Sequence, residues 1–126
     1  MLRVASVGSG SKGNATLVAS EETTLLIDCG FPAREMLSRL DQINVDVADI
    51  DAILVTHEHS DHIGGVAAVS RAAGAPIYAT HGTLTSGKLE GARTIVEIES
   101  DSEFVIGDIE VSAITVPHDA KEPVQY

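Results

Sequence analysis

The sequence predicts an α/β fold of the α+β kind: half of a layered sandwich, a mixed β-sheet with helices on its outer face. Three observations carry that prediction. Short apolar runs of strand length recur, such as Ala52-Ile53-Leu54-Val55. Segments with apolar residues at helical spacing, such as Met36, Leu37 and Leu40, lie between them. The order is strands, helix, strand, helix, then more strands, which sets helices over a sheet. With 126 residues, no repeat and no linker, the chain reads as one domain.

Leu2 to Val7 is short, apolar and partly alternating, a strand. Gly8 to Asn14 is a loop by composition. It is read either as a tight turn between strands or as a loop whose N–H groups face an anion. In the second reading Lys12 reaches a substrate phosphate. A P-loop is excluded, because the spacing is absent and no helix follows. Ala15 to Ser20 and Thr24 to Ile27 form a hairpin around Glu21-Glu22. Asp28 then stands at a strand end. It is either a turn residue or a carboxylate that accepts the free N–H of a ligand histidine and fixes its tautomer. Cys29 has no general base near it in sequence and reads as a small buried residue.

Pro32 suits a first helical position, and Ala33 to Leu40 or a little beyond forms an amphipathic helix. An acidic connection, Asp46 to Asp51, leads into a buried strand that runs to Thr56. A second helix spans Ile63 to Ala73 and stops at Gly74. Gly64 and Gly65 at its start allow close backbone approach, and its N-terminal dipole favours an ionised Asp61 or a bound anion. Pro76 to Ala79 is a strand. His81 follows, read either as a metal ligand or as a surface or helix-start residue, ahead of a short helix from Thr83 to Leu89. Thr94 to Ile98, Glu103 to Ile106 and Ile109 to Val116 are strands, with Gly107-Asp108 a turn.

His57-Glu58-His59-Ser60-Asp61-His62 packs three of the five histidines into six residues, between a strand and a helix. In extended chain, residues i and i+2 point the same way, so His57 and His59 can share one metal ion. Asp61 and His62 leave that line as the chain turns and can address a second ion close by. Imidazole suits zinc; a mixed histidine and carboxylate set suits zinc, manganese or iron. Two ions about 3.5–4 Å apart clamp the attacking and leaving oxygens of a displacement. The zincin pattern H-E-x-x-H fails, since it needs a histidine where Asp61 stands, and a helix. A solvated, histidine-rich loop is the bland alternative. The compactness of the cluster behind a buried strand argues for metal.

H-x-H-x-D-H after an apolar strand resembles the metallo-β-lactamase fold superfamily. Gly8-Ser9-Gly10-Ser11-Lys12-Gly13-Asn14, Leu26-Ile27-Asp28-Cys29-Gly30 and Val116-Pro117-His118-Asp119-Ala120, with Glu122-Pro123-Val124, resemble its WalJ-type (YycJ-like) branch of nucleases and phosphodiesterases. The resemblance runs the length of the chain. It implies an αββα sandwich and a metallo-hydrolase of phosphodiester bonds, in nucleic acid or a small molecule. It implies two divalent ions, zinc first, with manganese or iron as alternatives. His57, His59 and His118 would hold one ion; Asp61 and His62 would hold most of the other, with Asp61 also orienting the attacking water. The residue matching Asp28 orients the metal loop. His81 has no counterpart, and Asp119 is given no role. Thioesters, lactones and lactams are other substrates of this fold, and fold alone does not choose.

Relatives of this kind continue through a second half-sandwich that supplies a bridging aspartate and a further histidine. The chain therefore reads as an N-terminal piece, and a non-catalytic metal-binding or assembly module is the competing reading. Half a sandwich is expected to leave one apolar sheet face uncovered, which predicts self-association. The net charge of −11, from 8 basic and 19 acidic residues, argues against a broad nucleic-acid-binding face. It leaves room for a nuclease whose metal ions meet the phosphate. No apolar run reaches the ~18 residues that cross a bilayer, and the N-terminus is no signal peptide. The single cysteine forms no internal disulfide, which fits a reducing cytoplasm.

Overall fold

The computed structural model describes residues 1–126. Its main sheet has six strands in sequential order: β1 (Arg3–Gly8), β2 (Ala15–Ala19), β3 (Thr24–Ile27), β4 (Ala52–Leu54), β5 (Ile77–Thr80) and β6 (Ile95–Ile98). The first two pairings are antiparallel and the remaining three parallel. Parallel neighbours need crossovers. Helix α1 (Ala33–Gln42) supplies the one between β3 and β4; α2 (Ser60–Ile63) and α3 (Val66–Ala73) supply the one between β4 and β5.

Alternation along the strands sorts the core into two layers. Leu26, Ile53, Val55, Ile77 and Ala79 face the helices, against Met36, Leu40, Ile63, Val66 and Val69. Leu25, Ala52 and Leu54 face the other way and pack on Ile106, Ile109 and Val111. Strand β4 is thus buried on both sides, which is why its sequence is an unbroken apolar run. The strands that cover the second face are β7 (Ser102–Ile106), β8 (Ile109–Thr115) and β9 (Val124–Gln125), paired antiparallel.

That second sheet corrects part of the expectation of an uncovered face. It covers β3 and β4, while β1 is left outside it, with Val4 exposed, and the outer side of β7 and β8 is open as well, where Val105 and Ile114 stand exposed. The helix expected from Ile63 to Ala73 is two helices, broken at Gly64-Gly65. The Gly65 N–H donates to the Cys29 carbonyl at 2.8 Å instead of continuing a helical ladder. The helix expected from Thr83 to Leu89 is the shorter α4 (His81–Leu84), started earlier by the Thr80 side chain, which accepts from the Thr83 N–H. The acidic connection folds into a 3-10 turn, Val47–Asp49, capped by Asp46. Helix α1 ends at Gln42, a little beyond Leu40 as expected, whereas β9 is a strand the sequence does not signal.

Candidate metal centre

Past β4 the chain stays extended through Val55 and Thr56 and is pinned on both sides. The Val55 N–H donates to the Tyr78 carbonyl at 2.9 Å. The Tyr126 hydroxyl donates to the Val55 carbonyl at 2.8 Å, and the Val124 N–H to the Thr56 carbonyl at 2.9 Å. Such a mount aims side chains well. His57 and His59 project to one side of it and meet His118, which arrives from the loop after β8. Ring centroids lie 4.7 Å apart for His57 and His59, 4.4 Å for His57 and His118, and 4.9 Å for His59 and His118. One nitrogen from each ring lies within 4.8 Å of the other two.

The His57 and His118 Nε2 atoms are 3.1 Å apart. Two nitrogens on a tetrahedral zinc with bonds of 2.0–2.1 Å sit about 3.3 Å apart, so the spacing fits one shared ion. Asp61 and His62 stand beside this trio as a pair. Asp61 Oδ2 is 3.6 Å from His62 Nε2, and the His62 ring centroid is 4.2 Å from that of His57. His81 is elsewhere, exposed and 3.1 Å from Glu97, so it reads as a surface residue. Asp119 is exposed.

Asp28 organises the histidines from beneath. It is 4% exposed and sits in the left-handed region at φ 61°, which an aspartate tolerates better than most side chains. Its Oδ1 accepts from the Thr56 N–H at 2.8 Å and its Oδ2 from the Thr56 hydroxyl at 2.6 Å. A hydroxyl has one proton to give, so at 2.8 Å from His57 Nδ1 the Thr56 oxygen accepts. His62 Nδ1 lies 2.8 Å from the same Asp28 Oδ2 and donates to it. Both rings therefore carry a proton on Nδ1, and in the neutral form each turns a bare Nε2 outward, the form a metal ion requires. Of the two readings of Asp28, this geometry matches the orienting carboxylate.

Burial pushes His57 down to about 4, the charge on His62 adds to that, and Asp28 opposes it. The hydrogen bond to Asp28 raises His62, with burial opposing. In metal-free protein, histidine-resolved NMR titration is expected to find His57 neutral down to about pH 4 and His62 still charged above the ordinary 6.5. The linkage signs are opposite. Between pH 6.5 and 4 the unfolded chain protonates His57 and the folded one resists, so that contribution to stability is lost as pH falls. The His62 contribution is full below its unfolded value and is lost as pH rises through its raised folded value. A His57 titration at the ordinary value contradicts the geometry.

Sequence reasoning missed Asn14. Its side chain donates to Asp61 Oδ2 and to the Asp61 carbonyl, both at 3.1 Å, and its N–H donates to that carbonyl at 2.8 Å. It also closes the glycine-rich loop on itself through Gly10, so that loop is a turn that braces Asp61. Lys12 stands with Ser11, Ser60 and Asp61 on the wall of an open cavity of about 320 Å³. Cys29 is fully buried; burial pushes its thiol up to about 11, the wrong direction for a nucleophile.

A family model described as the metallo-beta-lactamase superfamily matches residues 8–123. The chain is 36% identical over 128 aligned residues to exodeoxyribonuclease YycJ of Bacillus anthracis, covering 95% of this chain and 47% of that protein. It is 34% identical over the same shares to exodeoxyribonuclease WalJ of Streptococcus pneumoniae serotype 2. A metallo-β-lactamase structure from Cronobacter sakazakii superposes with a TM-score of 0.81 at 21% identity, over 96% of this chain and 52% of that one, which shows the shared fold. The chain spans about half the length of the curated relatives it matches.

Proposed function

This chain belongs to the metallo-β-lactamase superfamily, and on that footing we propose that it carries the metal-binding half of a hydrolase acting on phosphodiester bonds, with DNA as the substrate. The observation that supports the reading is the convergence of His57, His59 and His118 on one point, with donor nitrogens within 4.8 Å. Those three side chains hold the first divalent ion, and Asp61 and His62 supply most of the second. Three imidazoles favour zinc for the first; manganese or iron also suits the mixed pair. Such ions, when bound, polarise a phosphoryl oxygen and make water acidic enough to attack near neutral pH. Asp28 and Thr56 keep the rings in the competent tautomer. Asp61, braced by Asn14, orients the attacking water. Lys12, beside Asp61 on the cavity wall, meets a phosphate flanking the scissile one.

DNA labelled at either end, incubated with protein loaded with zinc or manganese, is expected to release short labelled products. Protein inert toward DNA and a chromogenic diester, yet active on a thioester or lactam, would overturn the substrate class. Asp28→Asn tests the relay. An amide cannot accept from all three donors, so metal affinity is expected to fall about 10–100-fold, as for other outer partners of ligand histidines. Competition against a chromogenic chelator reads it, and unchanged affinity contradicts the role given to Asp28.

Two further readings belong to the same proposal. No helix is long and apolar enough to cross a membrane, and a lone buried thiol suits a reducing cytoplasm. Self-association would run through the outer face of β7 and β8, at Val105 and Ile114; a clean monomer by light scattering at high concentration removes it.

A further inference from the structure

We propose that Glu58 is a positioning residue that holds His118 against His57 and His59; its relevance to metal binding rests on the reading above. Glu58 lies between the two ligand histidines and points to the opposite side of the extended segment. There it is 8% exposed. Its Oε2 accepts from the Lys121 N–H at 2.9 Å, and its own carbonyl accepts from the Lys88 ammonium at 2.8 Å.

Residues 117–119 are exposed, so no buried side chain of that stretch fixes where His118 sits. Yet His118 Nε2 comes within 3.1 Å of His57 Nε2. The loop must be anchored from its far side. The Glu122 carbonyl accepts from the Thr80 hydroxyl at 2.8 Å, and Glu122 Oε1 accepts from the Gly82 N–H at 2.8 Å. Both bonds tie the loop to the end of β5 and the start of α4. The Glu58 bond ties it, three residues from His118, to the segment that carries His57 and His59. A carboxylate accepting a backbone N–H is about twice as strong as a neutral pair.

The second oxygen, Oε1, is buried with no partner. Burying an unpaired carboxylate oxygen is unfavourable, and an apolar side chain would avoid it. Packing alone therefore gives no reason for a carboxylate at this position, whereas the Lys121 N–H does. Glu58 in this account never touches an ion or a substrate; it sets the third histidine.

Metal-free protein provides the test. In Glu58→Ala the Lys121 amide is expected to exchange with solvent about tenfold faster or more, while core amides such as those of Ile53 and Leu26 keep their rates. The ring-to-ring NOE between His57 and His118 is expected to disappear. Glu58→Gln, which retains an acceptor, is expected to restore the NOE and most of the protection; should the alanine variant fail to fold, the glutamine variant is read alone, with a smaller acceleration confined to Lys121. Unchanged Lys121 exchange, or an NOE that survives in Glu58→Ala, overturns the proposal. Zinc titration of the same proteins is read separately. A wild type that takes up no zinc sinks the metal reading and leaves the tie between the loops to be judged on exchange and NOE alone; weaker zinc binding in Glu58→Ala with rescue in Glu58→Gln supports both.

Discussion

His118→Ala is expected to weaken zinc binding by more than the about 10–100-fold typical of losing an outer partner of a ligand histidine, while leaving the fold intact. It removes one of three converging nitrogens, and a site with two imidazoles has too few protein donors to hold the ion against water. The side chain is exposed and belongs to none of the hydrophobic clusters. Substitutions at such positions usually change stability by no more than about 0.5 kcal/mol, so the melting temperature of metal-free protein should hardly move. His57→Ala should lose the ion as well, and additionally strip Thr56 of the N–H it accepts. Competition titration with a chromogenic chelator, beside calorimetry of the metal-free proteins, separates the two effects. His118→Ala with wild-type affinity would remove His118 from the site.

The second large effect is on stability. A methyl group placed on Gly65 would run into the Phe31 carbonyl oxygen, and one on Gly30 into the Asp61 carbonyl oxygen. In both cases the obstacle is backbone, which cannot rotate aside as a side chain can. The segment after β3 and the turn between α2 and α3 are pressed together main chain to main chain. The bonds from Gly65 N–H to the Cys29 carbonyl and from Cys29 N–H to the His62 carbonyl, both 2.8 Å, hold them there. Overpacking usually costs 1–3 kcal/mol; with no yielding neighbour, Gly65→Ala should cost about 3 kcal/mol or more. At this chain length that lowers the melting temperature by roughly 10 °C. Since His62 and Asp61 ride on the same turn, metal affinity should fall with stability. Urea unfolding measures the first, and a loss below about 1 kcal/mol would mean that the two segments do not press on each other as described.

What was legible in the sequence follows from how local each signal is. Strand β4 and the motif behind it could be read directly. Burial on both faces leaves a continuous apolar run, and four candidate ligands fall within six residues. Asp28 stayed ambiguous because its partners, Thr56 and His62, lie 28 and 34 residues away. Asn14 was hidden for the same reason, 47 residues from Asp61 in a stretch that reads as loop. Glu58 entered only through a zincin pattern that does not apply, and its partner is 63 residues on. His118 had no periodic or clustered context of its own; only the resemblance singled it out. The break in the second helix escaped notice because a glycine pair is compatible with a helix until another backbone claims its N–H. The strands of the second sheet were read as strands, yet alternation tells which residues share a face and is silent on which sheet that face meets. The expectation of an uncovered main sheet failed on that point at β3 and β4, and held only at the edge strand β1.

Metal content per chain, on protein purified without chelator or added metal, decides whether His57, His59 and His118 hold an ion. At least one ion per wild-type chain is expected, and its loss when His57, His59 and His118 are replaced together. A value close to two would mean that Asp61 and His62 also hold an ion. A chain that carries no ion and takes none up on titration, or a content that survives the triple replacement, would contradict it.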